Sequence, residues 1–195
     1  MGFTIRPATT DDIPTLSELI RSSTRSLSRN DYSDEQIETA LQGTMGVDSN
    51  LIRDRTYFVV EADSVLETGG RIVACGGWSR RKALLGTDSL PGHEASLLNP
   101  SCDAAKVRAF FVHPAWVRQG IGRLLLAHCE AEARAHGFSA VELMATLPGQ
   151  RLYRVCGYVP SSPVQYPLTM TLTMQLVPMR KELVGTAVSA AAHGR

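Results

Sequence analysis

The segment from Val107 to Ala127 constrains this chain more than any other. It reads as an apolar strand, a short turn through Pro114, and a helix opened by Gly120 and Gly122. The first N–H groups of a helix have no partners within it, and the aligned peptide dipoles add roughly +0.5 charge at that end. Phosphate is a natural ligand there. Gly120 and Gly122 carry no β-carbon, so the backbone from Arg118 to Arg123 can approach a pyrophosphate closely with its N–H groups turned to the oxygens. Arg118 and Arg123 add positive charge beside it.

On a helical wheel Gly122, Leu125, Leu126, Cys129 and Ala133 form one apolar stripe, with Arg123, Glu130 and Arg134 to one side. The pattern predicts a helix that packs on a sheet and stops at His136-Gly137, where glycine can take the left-handed conformation. Residues 139–144 are apolar enough for a buried strand. A dinucleotide-binding unit shares this layout, but it needs a third glycine where this chain has Leu125, and an acidic residue ending the second strand. The bulk of Leu125 and the position of the unit past mid-chain count against it.

At 195 residues one domain is expected. A net charge of +1 with 20% charged residues gives no basic excess, so nucleic acid is not an expected partner and small molecules are. No apolar run reaches the ~20 residues that cross a bilayer, and the N-terminus has no signal-peptide hydrophobic stretch. The expectation is a cytoplasmic protein with no membrane partner. Cys75, Cys102, Cys129 and Cys156 form no C-x-x-C pair and no cluster with histidine, which predicts buried reduced thiols and no metal site.

Residues 3–7 read as a first strand. A helix follows from Thr10 to about Leu27, with Pro14 near its first turn. Ser33 and Gln36 form a capping-box pattern for a second helix that fades near Gln42. Residues 56–62 and 71–80 read as an antiparallel hairpin joined through Gly69-Gly70. Residues 81–104 have no period and read as a long loop, in which Asp88, Glu94 and Asp103 could attract a cationic amine. Residues 168–176 alternate apolar and polar and read as the clearest half-buried strand. The domain is expected over residues 3–179, with 180–195 a tail, poorly ordered from Leu183 onward.

Two motifs together resemble one family. Val117-Arg118-Gln119-Gly120-Ile121-Gly122, preceded by Val112-His113-Pro114, is similar to the R/Q-x-x-G-x-G/A pyrophosphate loop of the GNAT superfamily of acetyl-CoA-dependent N-acetyltransferases, with Val117 replacing the first Arg or Gln. Leu152-Tyr153 followed by Gly157-Tyr158 resembles that family's tyrosine helix and the strand after it. The resemblance implies an α/β (α+β) GNAT fold: a mixed, mostly antiparallel sheet of about seven strands flanked by about four helices. It also implies an acyltransferase with acetyl-CoA as cosubstrate and a small-molecule primary amine as acceptor, acting as a monomer or homodimer. Protein N-termini or lysines are alternative acceptors, and a non-catalytic acyl-CoA sensor is the alternative from another class.

The resemblance also assigns residues. Phe110, Phe111 and Val112 would pair their main chain with the pantetheine arm, and the Val112 N–H would meet the thioester oxygen as an oxyanion-hole donor does. Arg118, Gln119, Gly120, Ile121, Gly122 and Arg123 would hold the pyrophosphate. Thr146 stands where relatives carry an asparagine on the cofactor. Tyr153 would be the general acid for the leaving thiolate, a task that a phenol of pKa about 10 performs only with help from its surroundings. Glu142 and His113 are the candidate general bases, and Trp78, Arg80 and Arg81 candidate walls of the acceptor pocket.

Overall fold

The computed structural model describes residues 2–63, 70–83 and 96–183. The chain runs β1 (Phe3–Pro7), a 3-10 turn (Thr10–Asp12), α1 (Ile13–Ser28), α2 (Asp34–Gln42), α3 (Ser49–Arg53), β2 (Tyr57–Ala62), β3 (Arg71–Ser79) and β4 (Ala105–Val112). A second 3-10 turn (Pro114–Trp116) leads to α4 (Ile121–Ala135), β5 (Ala140–Thr146), α5 (Gln150–Val155), β6 (Val159–Pro160), β7 (Val164–Pro167) and β8 (Thr173–Glu182). All eight strands form one sheet in the order β1-β2-β3-β4-β5-β8-β6, with β7 also on β8. Every pairing between these strands is antiparallel except β4 with β5.

Strand alternation divides the core between two faces. Phe58 and Val60 of β2 join Ala74 of β3 and Leu125, Leu126 and Cys129 of α4 on one face. Tyr57 and Val59 join Leu16 and Ile20 of α1 and Leu51 of α3 on the other. With helices on both sides, β2 and β3 are buried on both faces, which suits their run of β-branched and aromatic residues. Local signals start the helices. Ser33 Oγ accepts from Gln36 N at 3.2 Å and Gln36 Oε1 accepts from Ser33 N at 2.9 Å, a full capping box. Asp48 starts α3, which the sequence patterns missed, by accepting from Asn50 N at 3.1 Å.

The C-terminal third departs from expectation. Residues 168–176 are no single strand: β7 ends at Pro167 and β8 begins at Thr173. Between them the N–H of Leu168 donates to the carbonyl of Leu172, and Thr169 Oγ1 accepts from Thr171 N and Leu172 N. Thr169, one of the threonines that gave the alternation, serves the turn, as side-chain hydroxyls that bond nearby backbone do. The sheet also continues past Met179: β8 runs to Glu182, and Leu183 is buried with its N–H on the carbonyl of Ser139. Residues 184–195 lie outside the described residues, as do 84–95 of the long loop, including Asp88 and Glu94. The described ends of that loop pair through Arg81 and Leu97. Cys102 is exposed and Cys156 half-buried, so only Cys75 and Cys129 are the buried thiols expected of all four. Among the described residues no His/Cys/Asp/Glu group is arranged to hold a metal, and no helix is long and apolar enough to cross a membrane.

Candidate active site

The site begins with a defect in β4. Gly77 pairs with Arg108 and Cys75 with Phe111, so Ala109 and Phe110 together face Gly76. Two residues opposite one is a β-bulge. Ala109 adopts the left-handed conformation at φ 53°, at a cost of about 1–2 kcal/mol for a residue with a β-carbon. Buried Tyr57 steadies it by donating its hydroxyl to the Ala109 carbonyl at 3.1 Å.

Beyond the bulge β4 and β5 part. Their parallel pairing covers Ala105–Val141, Lys106–Glu142 and Val107–Leu143 and then stops, while β5 stays on β8 as far as Thr146. A wedge opens between them. The His113 N–H donates back to Val73 of β3 at 2.8 Å, so by strand alternation the N–H of Val112 faces the wedge, where no strand among the described residues meets it.

The wedge widens into a cavity of about 770 Å³. The Phe110, Phe111 and Val112 segment forms one wall, and Thr146, Leu152 and Tyr153 the opposite one. At one end lies the glycine turn. Arg118 and Gly120 both have positive φ, 67° and 83°, a left-handed alternation that turns successive N–H groups toward one side. Gly120 is the N-cap of α4 and has no side chain to satisfy the helix's first N–H groups, which remain free for an anion. Arg118, Ile121, Gly122, Arg123 and Arg151 also line this end, whereas Gln119 does not.

Tyr153 sits on the short helix α5, which Thr146 helps to start by accepting at its carbonyl from Gly149 N at 3.0 Å. The ring packs edge-on to Phe110 and Tyr158, with centroids 6.3 and 5.7 Å away. Burial is the first cause that pushes the Tyr153 phenol above its ordinary value of 10.0. The phenol is therefore protonated through neutral pH, and it is a weaker acid than a free phenol.

Neither candidate base lines the cavity among the described residues. Glu142 is paired with Lys106 at 2.5 Å and Arg180 at 2.7 Å. Partial burial alone would raise its pKa, but the two cations hold the carboxyl below its ordinary value, which makes it a weak proton acceptor. His113 caps the turn before α4, accepting at Nδ1 from Ala115 N at 3.2 Å. Partial burial and then Arg71 lower its pKa. The proposed acceptor wall is also elsewhere. Trp78 is fully buried against His136 and Phe138, and Arg81 grips Asp54 with two bonds of 2.7 Å.

Sequence patterns missed Ser23, Thr24, Leu27 and Ser28 of α1, and Arg108 of β4, all of which line the cavity. Their common signal is weak: small hydroxyl residues on the sheet-facing side of α1, and one arginine inside an otherwise apolar strand.

A family model described as an acetyltransferase (GNAT) domain matches residues 53–160, more than half of the chain. No match is found among curated proteins. Among solved structures, the chain is similar to a GCN5-related N-acetyltransferase (aminotransferase, class II) from Rhodopseudomonas palustris. The two are 18% identical with a TM-score of 0.66, covering 94% of this chain and 97% of that one. It is also similar to the PaiA N-acetyltransferase of Thermoplasma acidophilum in complex with coenzyme A, at 16% identity and TM-score 0.62 over 93% and 99% of the two chains. YncA from Salmonella typhimurium with its cofactor acetyl-CoA gives 18% identity and TM-score 0.57 over 98% and 100%. At these identities the likeness is one of fold. The family match spans the bulged strand, the glycine turn and the tyrosine helix alike, and on that ground the chain belongs to the acetyltransferase (GNAT) domain family, a family of acyltransferases.

Proposed function

We propose that this protein transfers the acetyl group of acetyl-CoA to the primary amine of a small molecule by direct attack, with Tyr153 as general acid. The observation that carries the reading is a single cavity bounded by the glycine turn, the unpaired edge of β4 and Tyr153. Its volume of about 770 Å³ falls in the range of small-molecule sites, roughly 300–1,000 Å³.

Acetyl-CoA supplies the acetyl group as a thioester. The N–H groups at the start of α4, with Arg118 and Arg123, hold its pyrophosphate. The Val112 N–H donates to the thioester oxygen and stabilises the charge that gathers there as the amine attacks, a fixed dipole placed before the reaction begins. As the C–S bond breaks, Tyr153 gives its proton to the departing sulfur, the amine's proton passes to water, and the tyrosinate takes a proton back from water to reset the site. Among the described residues no carboxylate or imidazole lines the cavity, so the acceptor sheds its first proton to solvent before attack. Residues 3–183 form the catalytic domain in this reading.

The test is release of free thiol from acetyl-CoA across a panel of primary amines, with binding of acetyl-CoA read in parallel as a rise in Tm. Acetyl-CoA and CoA should both stabilise the protein and NAD should not. A protein that binds neither thioester nor thiol overturns the reading.

A further inference from the structure

Among the described residues, the cavity is lined by one buried cation away from the glycine turn, Arg108. Arg118, Arg123 and Arg151 stand at the glycine-turn end, where an anionic pyrophosphate answers them. Arg108 lies four residues before Val112 on β4, on the sheet face covered by α1, and its side chain is only 2% exposed. One terminal nitrogen lies 2.9 Å from Asp48 Oδ2, itself fully buried, and the other donates to the Ala83 carbonyl at 3.0 Å. Nε is buried with no partner among the described residues. Across the cavity wall on α1, the Thr24 hydroxyl is buried and equally without a partner.

Burial, the first cause, lowers the pKa of Arg108 and Arg81 adds to it, while Asp48 and Asp54 raise it, and the net shift is downward. Asp48 meets only one terminal nitrogen of this guanidinium, and Nε is left to donate to a further anion. Nothing in the lining supplies one, because no aspartate or glutamate lines the cavity among the described residues. The same lack leaves nothing to receive a second positive charge on an acceptor. Leu27, Met45, Met144, Met174 and Leu176 provide apolar surface around it.

We propose, resting on the acetyltransferase reading above, that the acceptor bears a carboxylate next to its amine and an apolar body, as an apolar α-amino acid does, and that Arg108 and Thr24 receive that carboxylate. A single negative charge suits the seat better than a phosphate dianion, since Asp48 already answers part of the arginine. The apolar walls take the side chain.

The test compares matched trios: leucine, methionine and phenylalanine, each beside its primary amide and its decarboxylated amine. The wild-type protein should acetylate the acid in at least one trio with kcat/KM tenfold or more above both partners. A double variant, Asp48→Asn with Arg108→Gln, removes both charges so that neither is left buried alone. It should bring that ratio close to one while the KM for acetyl-CoA stays unchanged. Thr24→Val, nearly the same in shape, should lower the preference several-fold and serves if the double variant does not fold. Equal or better turnover of the amides or decarboxylated amines overturns the proposal. So does failure to acetylate any of the three acids by a protein that binds acetyl-CoA, and both results leave the acetyltransferase reading standing. Failure to bind acetyl-CoA overturns that reading first.

Discussion

The β-carbon that Gly76 lacks would stand 2.3 Å from Cδ2 of Phe110. The ring of the bulged strand occupies the space that any larger residue on β3 would claim, and the same ring packs edge-on to Tyr153. Gly76→Ala must push Phe110 aside. We expect a loss of about 1–3 kcal/mol, the usual range for overpacking, and a fall in kcat larger than the rise in KM for acetyl-CoA. Urea denaturation and steady-state kinetics on the same protein check both.

At the glycine turn the two glycines act differently. Gly120 needs its left-handed φ of 83° and has open space around it, whereas a β-carbon on Gly122 would lie 3.0 Å from Leu152 Cδ2 and 3.8 Å from Val112 Cγ2. Gly122→Val should therefore displace the flexible end of Leu152 and fill the approach to the turn. Binding of CoA and of acetyl-CoA should weaken at least tenfold by calorimetry, with the fold intact by circular dichroism. Unchanged affinity in a folded variant would count against the loop as the pyrophosphate site.

These two positions show what a sequence reveals. The turn from Val117 to Gly122 was legible because a left-handed backbone followed by a close approach leaves few residue choices, and the helix starts at Pro14 and Ser33 because capping is local. The bulge was not legible, since Ala109 is an ordinary residue in a conformation imposed by Gly76 and Tyr57 across the sheet. The pairing of Arg108 with Asp48 and of Glu142 with Arg180 joins distant segments and leaves no local pattern. The stretch 168–176 misled because hydroxyls that alternate along a strand can equally close a turn.

Tyr32 ties β8 to the turn that precedes α5. Its hydroxyl donates to the Gln175 carbonyl of β8 at 2.6 Å and accepts from Leu147 N at 2.8 Å, in the turn that leads into the helix of Tyr153. Tyr32→Phe leaves both backbone groups without that partner, which should cost about 1–3 kcal/mol. With the turn loosened, kcat should drop several-fold while CoA affinity holds. Loss of stability with unchanged kcat would make Tyr32 a purely structural residue.

Acid stability should report on the start of α1. Arg6 donates to both oxygens of Asp12 at 2.8 and 2.9 Å, and Asp12 also accepts from Thr9 N at 2.8 Å. The Arg6 bond is the main cause that lowers the Asp12 pKa from 3.8 to about 2. The folded value lies below the unfolded one, so this contribution is whole above pH 3.8 and is lost as pH falls toward 2. It amounts to about 2 kcal/mol at most. Asp12→Asn should lower the urea midpoint near pH 6, and the gap from wild type should close toward pH 2. A gap that stays constant with pH would show that the ionised carboxylate is not what stabilises the fold.

The central claim is that Tyr153 gives its proton to the leaving thiolate, and the direct measurement is kcat against pH for wild type and Tyr153→Phe on the best amine of the panel. Burial holds the phenol above its ordinary 10.0, so the wild-type rate should rise as the acceptor deprotonates and show no fall from tyrosine ionisation below pH 10. The phenylalanine variant keeps the ring and its contacts with Phe110 and Tyr158, so its acetyl-CoA affinity should match wild type while kcat drops on the order of 10²-fold across the range. A variant that retains full turnover would contradict the account and leave Tyr153 as a packing residue.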